Sequence, residues 1–208
     1  MPIADFELER YFARWGAAKY VLCASDVEGY PMHELLGLAD GETRALWDDL
    51  RLDYTQSTGH PLLRAEIAGL YDTVDPDEVL VAAGADDAIF CLVNVVLGPG
   101  DHAIVVWPGY QSLHEVARAT GADITLHELY EADGWSLDVD RLLASLRPAT
   151  RLVIVNVPHN PTGMLPSAAE WARLTAGLDA AGVYLLSDEV YRHLELDGAA
   201  PLTAGVDA

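Results

Sequence analysis

Lysine is almost missing from this chain. Its 208 residues include one, Lys19, beside eleven arginines and thirty-three acidic side chains, and the formal net charge is −21. A polyanion would be repelled on almost every approach, because phosphate binding needs clustered Lys and Arg, so nucleic acid is not expected as a partner. The charge also has a plainer reading, that of an acidic proteome in which it serves solubility alone. Cysteine is nearly as scarce. Cys23 and Cys91 stand far apart without metal-type spacing, so no metal site is expected, and a reducing, cytoplasmic location is. No apolar run approaches a membrane span, and the start "MPIADFELERYF" lacks the basic and apolar regions of a signal peptide. No G-x-G-x-x-G follows a strand and no GK[ST] occurs, which sets aside a dinucleotide dehydrogenase and a P-loop enzyme. "HLE" at 193–195 has no paired-cysteine motif to make it a zinc deaminase site.

What is present is alternation. "HPLLRAEIAGLY" from residue 60 has helical spacing with Pro61 in a first-turn position. "EVLVAAG" (78–84) reads as a short strand stopped by glycine, and "DDAIFCLVNVVL" (86–97) as a helix with acids in its first turn. Strand-like runs follow at 102–108, 123–129, 151–158 and 183–191. Helical stretches lie between them at 112–120, around 138–146, and at 166–182. The last of these opens with Ser167 and Glu170 in capping-box spacing and closes on glycine. Strands apolar on both faces, alternating with helices, predict an α/β domain: a mostly parallel sheet covered on both sides, three layers in all. That domain is expected to occupy residues 56–208 and to be incomplete at its end. Residues 1–55, with helical pieces at 6–15, 31–39 and 42–50, read as an arm and part of a second, smaller domain.

Ligands of open α/β sheets bind outside the carboxyl ends of the strands. Four strand ends here carry residues that a core strand does not need: "GADDA" (84–88), "PGY" (108–110), "PHNPTG" (158–163) and "SDEVY" (187–191). Each alone has a bland explanation, since PTG and PGY are ordinary turn chemistry and DE is an ordinary helix start. Four on one edge of a sheet is a stronger signal.

"PHNPTG" followed by "SDEVY", together with "YTQSTGHPLLRAEIA", "VAAGADDAI" and "GDHAIVVWPGY", resembles the fold-type I pyridoxal phosphate (PLP) enzymes, specifically the class I/II aminotransferases of amino acid metabolism. The resemblance covers most of the chain. It implies that Asp188 holds the proton on the cofactor's pyridine nitrogen, since a buried carboxylate favours the protonated ring by ion pairing. It also implies that Tyr191 and the side-chain amide of Asn160 hydrogen-bond the phenolic oxygen, and that Tyr110 stacks on the ring. Gly84, Ala85 and Asp86 would offer backbone N–H groups to the phosphate at a helix N-terminus. The carboxylates of Asp86 and Asp87 are then expected to point away. Glu189 is expected to be a solvent-facing or structural residue.

The family's chemistry needs a lysine that forms a Schiff base with PLP and shuttles protons at the substrate α-carbon. In the family it follows the "DEVY" motif. No lysine follows it here, and Lys19, in "WGAAKY", matches no family position. The expectation is a chain truncated before its catalytic lysine, inactive alone, with an amino-acid substrate and a homodimer belonging to the full-length form. "YVLCASDVEGYPMHELL" (20–36) resembles the branch containing capreomycidine synthase-like enzymes, which cyclise an arginine-derived substrate by elimination. Asp26 and Glu28 are that branch's candidate partners for a guanidinium group. The alternative reading is a non-catalytic module of PLP fold that only binds or joins subunits.

Overall fold

The computed structural model describes residues 3–202. Its centre is a parallel sheet of β1 (His102–Trp107), β2 (Asp123–Glu128), β3 (Thr150–Asn156) and β4 (Tyr184–Asp188), in the order β2-β1-β3-β4. The two central strands, β1 and β3, are almost wholly buried, whereas β2 and β4 flank them and are more exposed. Side chains alternate across a strand, so each face has its own set.

Ile104 and Val106 of β1 and Val153 and Val155 of β3 pack against α7 (Val139–Ala144) and α8 (Ala168–Ala181) through Leu142, Trp171, Leu174 and Leu178. Ala103 and Val105, with Leu152 and Ile154, face α5 (Ala85–Val96) and α6 (Gln111–Ala119) through Ile89, Val93, Leu113 and Val116. The result is the expected three-layer α/β/α arrangement. Fully burying one such Leu, Ile or Val stabilises by roughly 1.5–3 kcal/mol, which is why the doubly apolar strands end up central.

The helix ends follow the sequence closely. Ser167 Oγ accepts from the Glu170 N–H at 3.2 Å and Glu170 Oε2 accepts from the Ser167 N–H at 2.8 Å, closing the capping box of α8. Gly182 ends it in the left-handed conformation. Pro61 opens α4 (Pro61–Ala68) behind His60, whose Nδ1 accepts from the Leu62 N–H.

One expected strand does not form. Residues 78–84 are irregular apart from the tail of a 3-10 turn (Pro76–Glu78). Val81 N–H donates to the Thr58 carbonyl at 3.0 Å, but no strand lies alongside in the described residues to supply further rungs, and Leu80 is left exposed. A β-branched composition favours a strand only where an edge is there to pair with it. The N-terminal pieces α1 (Glu7–Trp15), α2 (Met32–Gly37) and α3 (Gly41–Asp48) form near their expected positions and bury no residue fully. No helix among the described residues is long and apolar enough to cross a membrane.

Candidate active site

β1, β3 and β4 run parallel and adjacent, so the turns leaving their carboxyl ends share one edge of the sheet. β1 delivers Tyr110, β3 delivers Asn160, and β4 ends on Asp188 with Tyr191 in the turn beyond. Asn160 Nδ2 donates to the Tyr191 hydroxyl at 3.2 Å, which joins the two residues expected to share one acceptor. The Tyr110 hydroxyl donates to Asp86 Oδ2 at 3.3 Å, which ties the start of α5 to the same edge. The order of elements thus gathers Tyr110, Asn160, Asp188 and Tyr191 at the carboxyl edge of the sheet, whereas Gly84, Ala85 and Asp86 follow an irregular segment instead of the expected strand and join the cluster through Asp86.

Gly84 precedes α5 with φ 133° and ψ 170°, a conformation essentially reserved for glycine, and no side chain caps the helix there. Its first N–H groups are therefore available to an anion. The two acids behave differently from each other. Asp87 turns back, its Oδ2 accepting from the Ala83 N–H at 3.1 Å. Asp86 does not point away as expected: it reaches towards Tyr110, because the tyrosine hydroxyl is a donor within range and the open side of the helix end faces the cluster.

Asp188 is half-buried, and burial pushes its carboxyl pKa above the usual range. The Val190 N–H, donating at 3.3 Å, pulls the other way, while the charges of Asp86 and Glu189 push it further up. It makes no ion pair among the described residues. Burial also raises the Tyr110 hydroxyl, with Asp86 adding to the effect. Glu189 is structural: its Oε1 accepts from Ser187 Oγ at 2.8 Å and it pairs with Arg192 at 3.6 Å, with little exposure on either side chain.

Two residues were not anticipated. Asn156, at the end of β3, is buried; its Nδ2 donates to the Asp188 carbonyl at 2.9 Å and its Oδ1 accepts from the Asn160 N–H at 2.7 Å. It clips the two loops together. An amide closing an otherwise apolar run was the available signal. His159, also buried, bonds Thr162 Oγ1 through Nδ1 at 2.8 Å and places Nε2 beneath Gly109 of the β1 turn. Asp26 and Glu28 lie on exposed, irregular chain. Lys19 is exposed, its ammonium 5.2 Å from the Tyr20 ring centroid.

A sequence model of the family "Aminotransferase class I and II" matches residues 30–207. The chain belongs to that family. It is 40% identical over 136 residues to a probable N-succinyldiaminopimelate aminotransferase of Mycobacterium tuberculosis, covering 64% of this chain and 34% of that protein. It is 35% identical over 164 residues to capreomycidine synthase of Streptomyces vinaceus, covering 78% of this chain and 41% of that protein. A PLP-dependent aminotransferase from Streptococcus suis superposes with a TM-score of 0.88 at 26% identity, over all of this chain and 56% of that one. The chain thus spans between about a third and just over half of the length of these relatives. Pyridoxal phosphate is the cofactor of this family. The residues fit it on chemical grounds: a half-buried carboxylate that pairs with no cation among the described residues, two donors on adjoining turns, an aromatic face and an uncapped helix start.

Proposed function

We propose that this chain carries the cofactor-binding half of a PLP-dependent aminotransferase-type enzyme acting on an amino acid. The observation that carries this reading is Asp188, a half-buried carboxylate with a raised pKa and no ion pair among the described residues, joined through Asn156 to the Asn160–Tyr191 pair. A ring cation is the partner such a group lacks. Asp188 would hold a proton on the pyridine nitrogen. Asn160 and Tyr191 would donate to the phenolic oxygen, Tyr110 would stack on the ring, and the N–H groups at Gly84, Ala85 and Asp86 would take the phosphate. Bound PLP would supply an electron sink for charge developing at the amino acid's α-carbon. The substrate carboxylate would be met elsewhere in the full-length homodimer, to which residues 1–55 contribute an arm and part of a small domain. Two reactions stay open for the enzyme, transamination or, by the likeness to capreomycidine synthase, elimination and cyclisation of an arginine-derived substrate, for which Asp26 and Glu28 are the candidate guanidinium partners.

The test is a titration of the chain with PLP, followed by the circular dichroism induced in the bound chromophore. Saturable binding is expected. Asp188→Asn should weaken it at least tenfold, the scale of losing about 1.5–3 kcal/mol in a hydrogen bond to a charged group. No amino-acid turnover is expected from this chain by itself, since its single lysine, Lys19, lies outside the cluster. Absent binding, or binding indifferent to Asp188, would overturn the reading. Binding without turnover in any full-length form would favour the non-catalytic module instead.

A further inference from the structure

Tyr110 is held from a direction that the site alone does not explain. The chain at Asp5–Glu7, more than a hundred residues earlier, is fastened to Gln111 at two points. Gln111 Oε1 accepts from the Glu7 N–H at 3.1 Å, and Gln111 Nε2 donates to the Asp5 carbonyl at 2.8 Å. The first bond satisfies one of the orphan N–H groups at the start of α1, where Phe6 as N-cap provides no side-chain acceptor. Both donor and acceptor of one amide are thus spent on the backbone that flanks Phe6. Between those two points Phe6 meets the Tyr110 ring edge-on, with centroids 5.1 Å apart and planes at 65°. The geometry is a favourable aromatic pair. Asp5 is further tied to Arg10 at 2.9 Å, which bridges the start of α1. Glu9, on the same helix, is close enough to act on the Tyr110 hydroxyl after burial and Asp86.

We propose that Gln111 and Phe6 are positioning residues for Tyr110: the Gln111 amide latches the N-terminal segment, and Phe6 fixes the plane on which a cofactor ring stacks. α1 buries no residue of its own, so it contributes little to the core, and the latch acts chiefly on the ring it touches. The inference rests on the reading of the cluster as a PLP site.

The test uses the whole chain and three variants. Gln111→Met keeps the side chain's length but removes both hydrogen bonds. Phe6→Ala removes the ring contact, and Phe6→Trp restores an aromatic edge. Two readouts are taken: amide hydrogen exchange across residues 7–15, and PLP affinity with the dichroism of the bound chromophore. Gln111→Met should speed exchange at the start of α1. Both Gln111→Met and Phe6→Ala should weaken PLP binding about three- to tenfold and reduce its induced dichroism, the scale of one aromatic pair. Phe6→Trp should recover most of the loss. A merely structural latch would change exchange and leave the chromophore signal alone, and that outcome overturns the proposal. Unchanged exchange in Gln111→Met overturns it too. Should the parent chain bind no PLP, the reading of the site fails and this role fails with it. A parent that binds while the variants bind equally well sinks only the positioning role.

Discussion

Two preferences oppose each other at Asp86. An acid in the first turn of α5 suits the helix dipole and supports the helix by about 0.3–1 kcal/mol. The same carboxylate, turned towards Tyr110, adds to the negative charge felt by Asp188 and, in the proposed site, would lie where the phosphate approaches. Asp86→Asn should therefore bind PLP more tightly, by about three- to tenfold at low salt, and melt slightly lower. Equilibrium titration and a thermal scan on one preparation check both signs, and weaker binding would show that the carboxylate helps seat the ligand. At this scale the sequence shows which residues are chemically out of place: Asp188, Asn160 and Tyr191 stand where an apolar strand had no need of them. It does not show which way a side chain turns. The rotamer of Asp86 depends on Tyr110, twenty-four positions away, and the clip made by Asn156 depends on Asp188, thirty-two away.

Among the elements, the four strands that formed were legible from their apolar content: β1, β3 and β4 run apolar residues together, and β2 alternates them with polar ones. The stretch 78–84 has the same composition and failed for want of a neighbour, which is not a property of its own residues. It is held from below instead. Gly59 has φ +106°, and a Cβ there would lie 2.4 Å from Val81 Cγ2, so the loop 56–59 can approach this segment only without a side chain. Gly59→Ala combines left-handed strain with an overlap and should cost about 1–3 kcal/mol, seen as a lower urea midpoint at unchanged slope. Gly37→Ala, in α2 with nothing within 4 Å of the added Cβ, should be neutral or slightly stabilising. Equal effects at the two positions would remove the close approach from the account. The latch of Phe6 on Tyr110 was invisible for the same reason as the missing strand: contact across more than a hundred residues leaves no local pattern.

For the molecule as a whole, the described surface is strongly apolar in places: Val95 of α5 is 84% exposed and Leu52 99%. Exposed apolar side chains favour self-association where they adjoin. The acidic surface opposes it at neutral pH. Acidification should expose this balance, because the interior holds several histidines in the neutral form. Burial lowers His127 and His159 from the usual 6.5 to about 4, and it lowers His102 and His114 as well. In the unfolded chain these rings take up protons below about pH 6.5, while the folded chain resists, so stability present above that pH is lost as it falls towards 4. Each of the two strongest cases is worth on the order of 3 kcal/mol across that window. Asp188 works in the opposite direction: its raised pKa means that the folded state binds a proton more readily than the unfolded one, and acid relieves the strain of its burial. Four histidines outweigh one carboxyl, so the urea midpoint should drop steadily between about pH 6.5 and 4.5. His127→Gln combined with His159→Gln should flatten that slope, whatever its cost at neutral pH. A midpoint that holds level or rises on acidification, or a double variant with the parent's slope, would mean that the buried histidines do not set the molecule's acid limit.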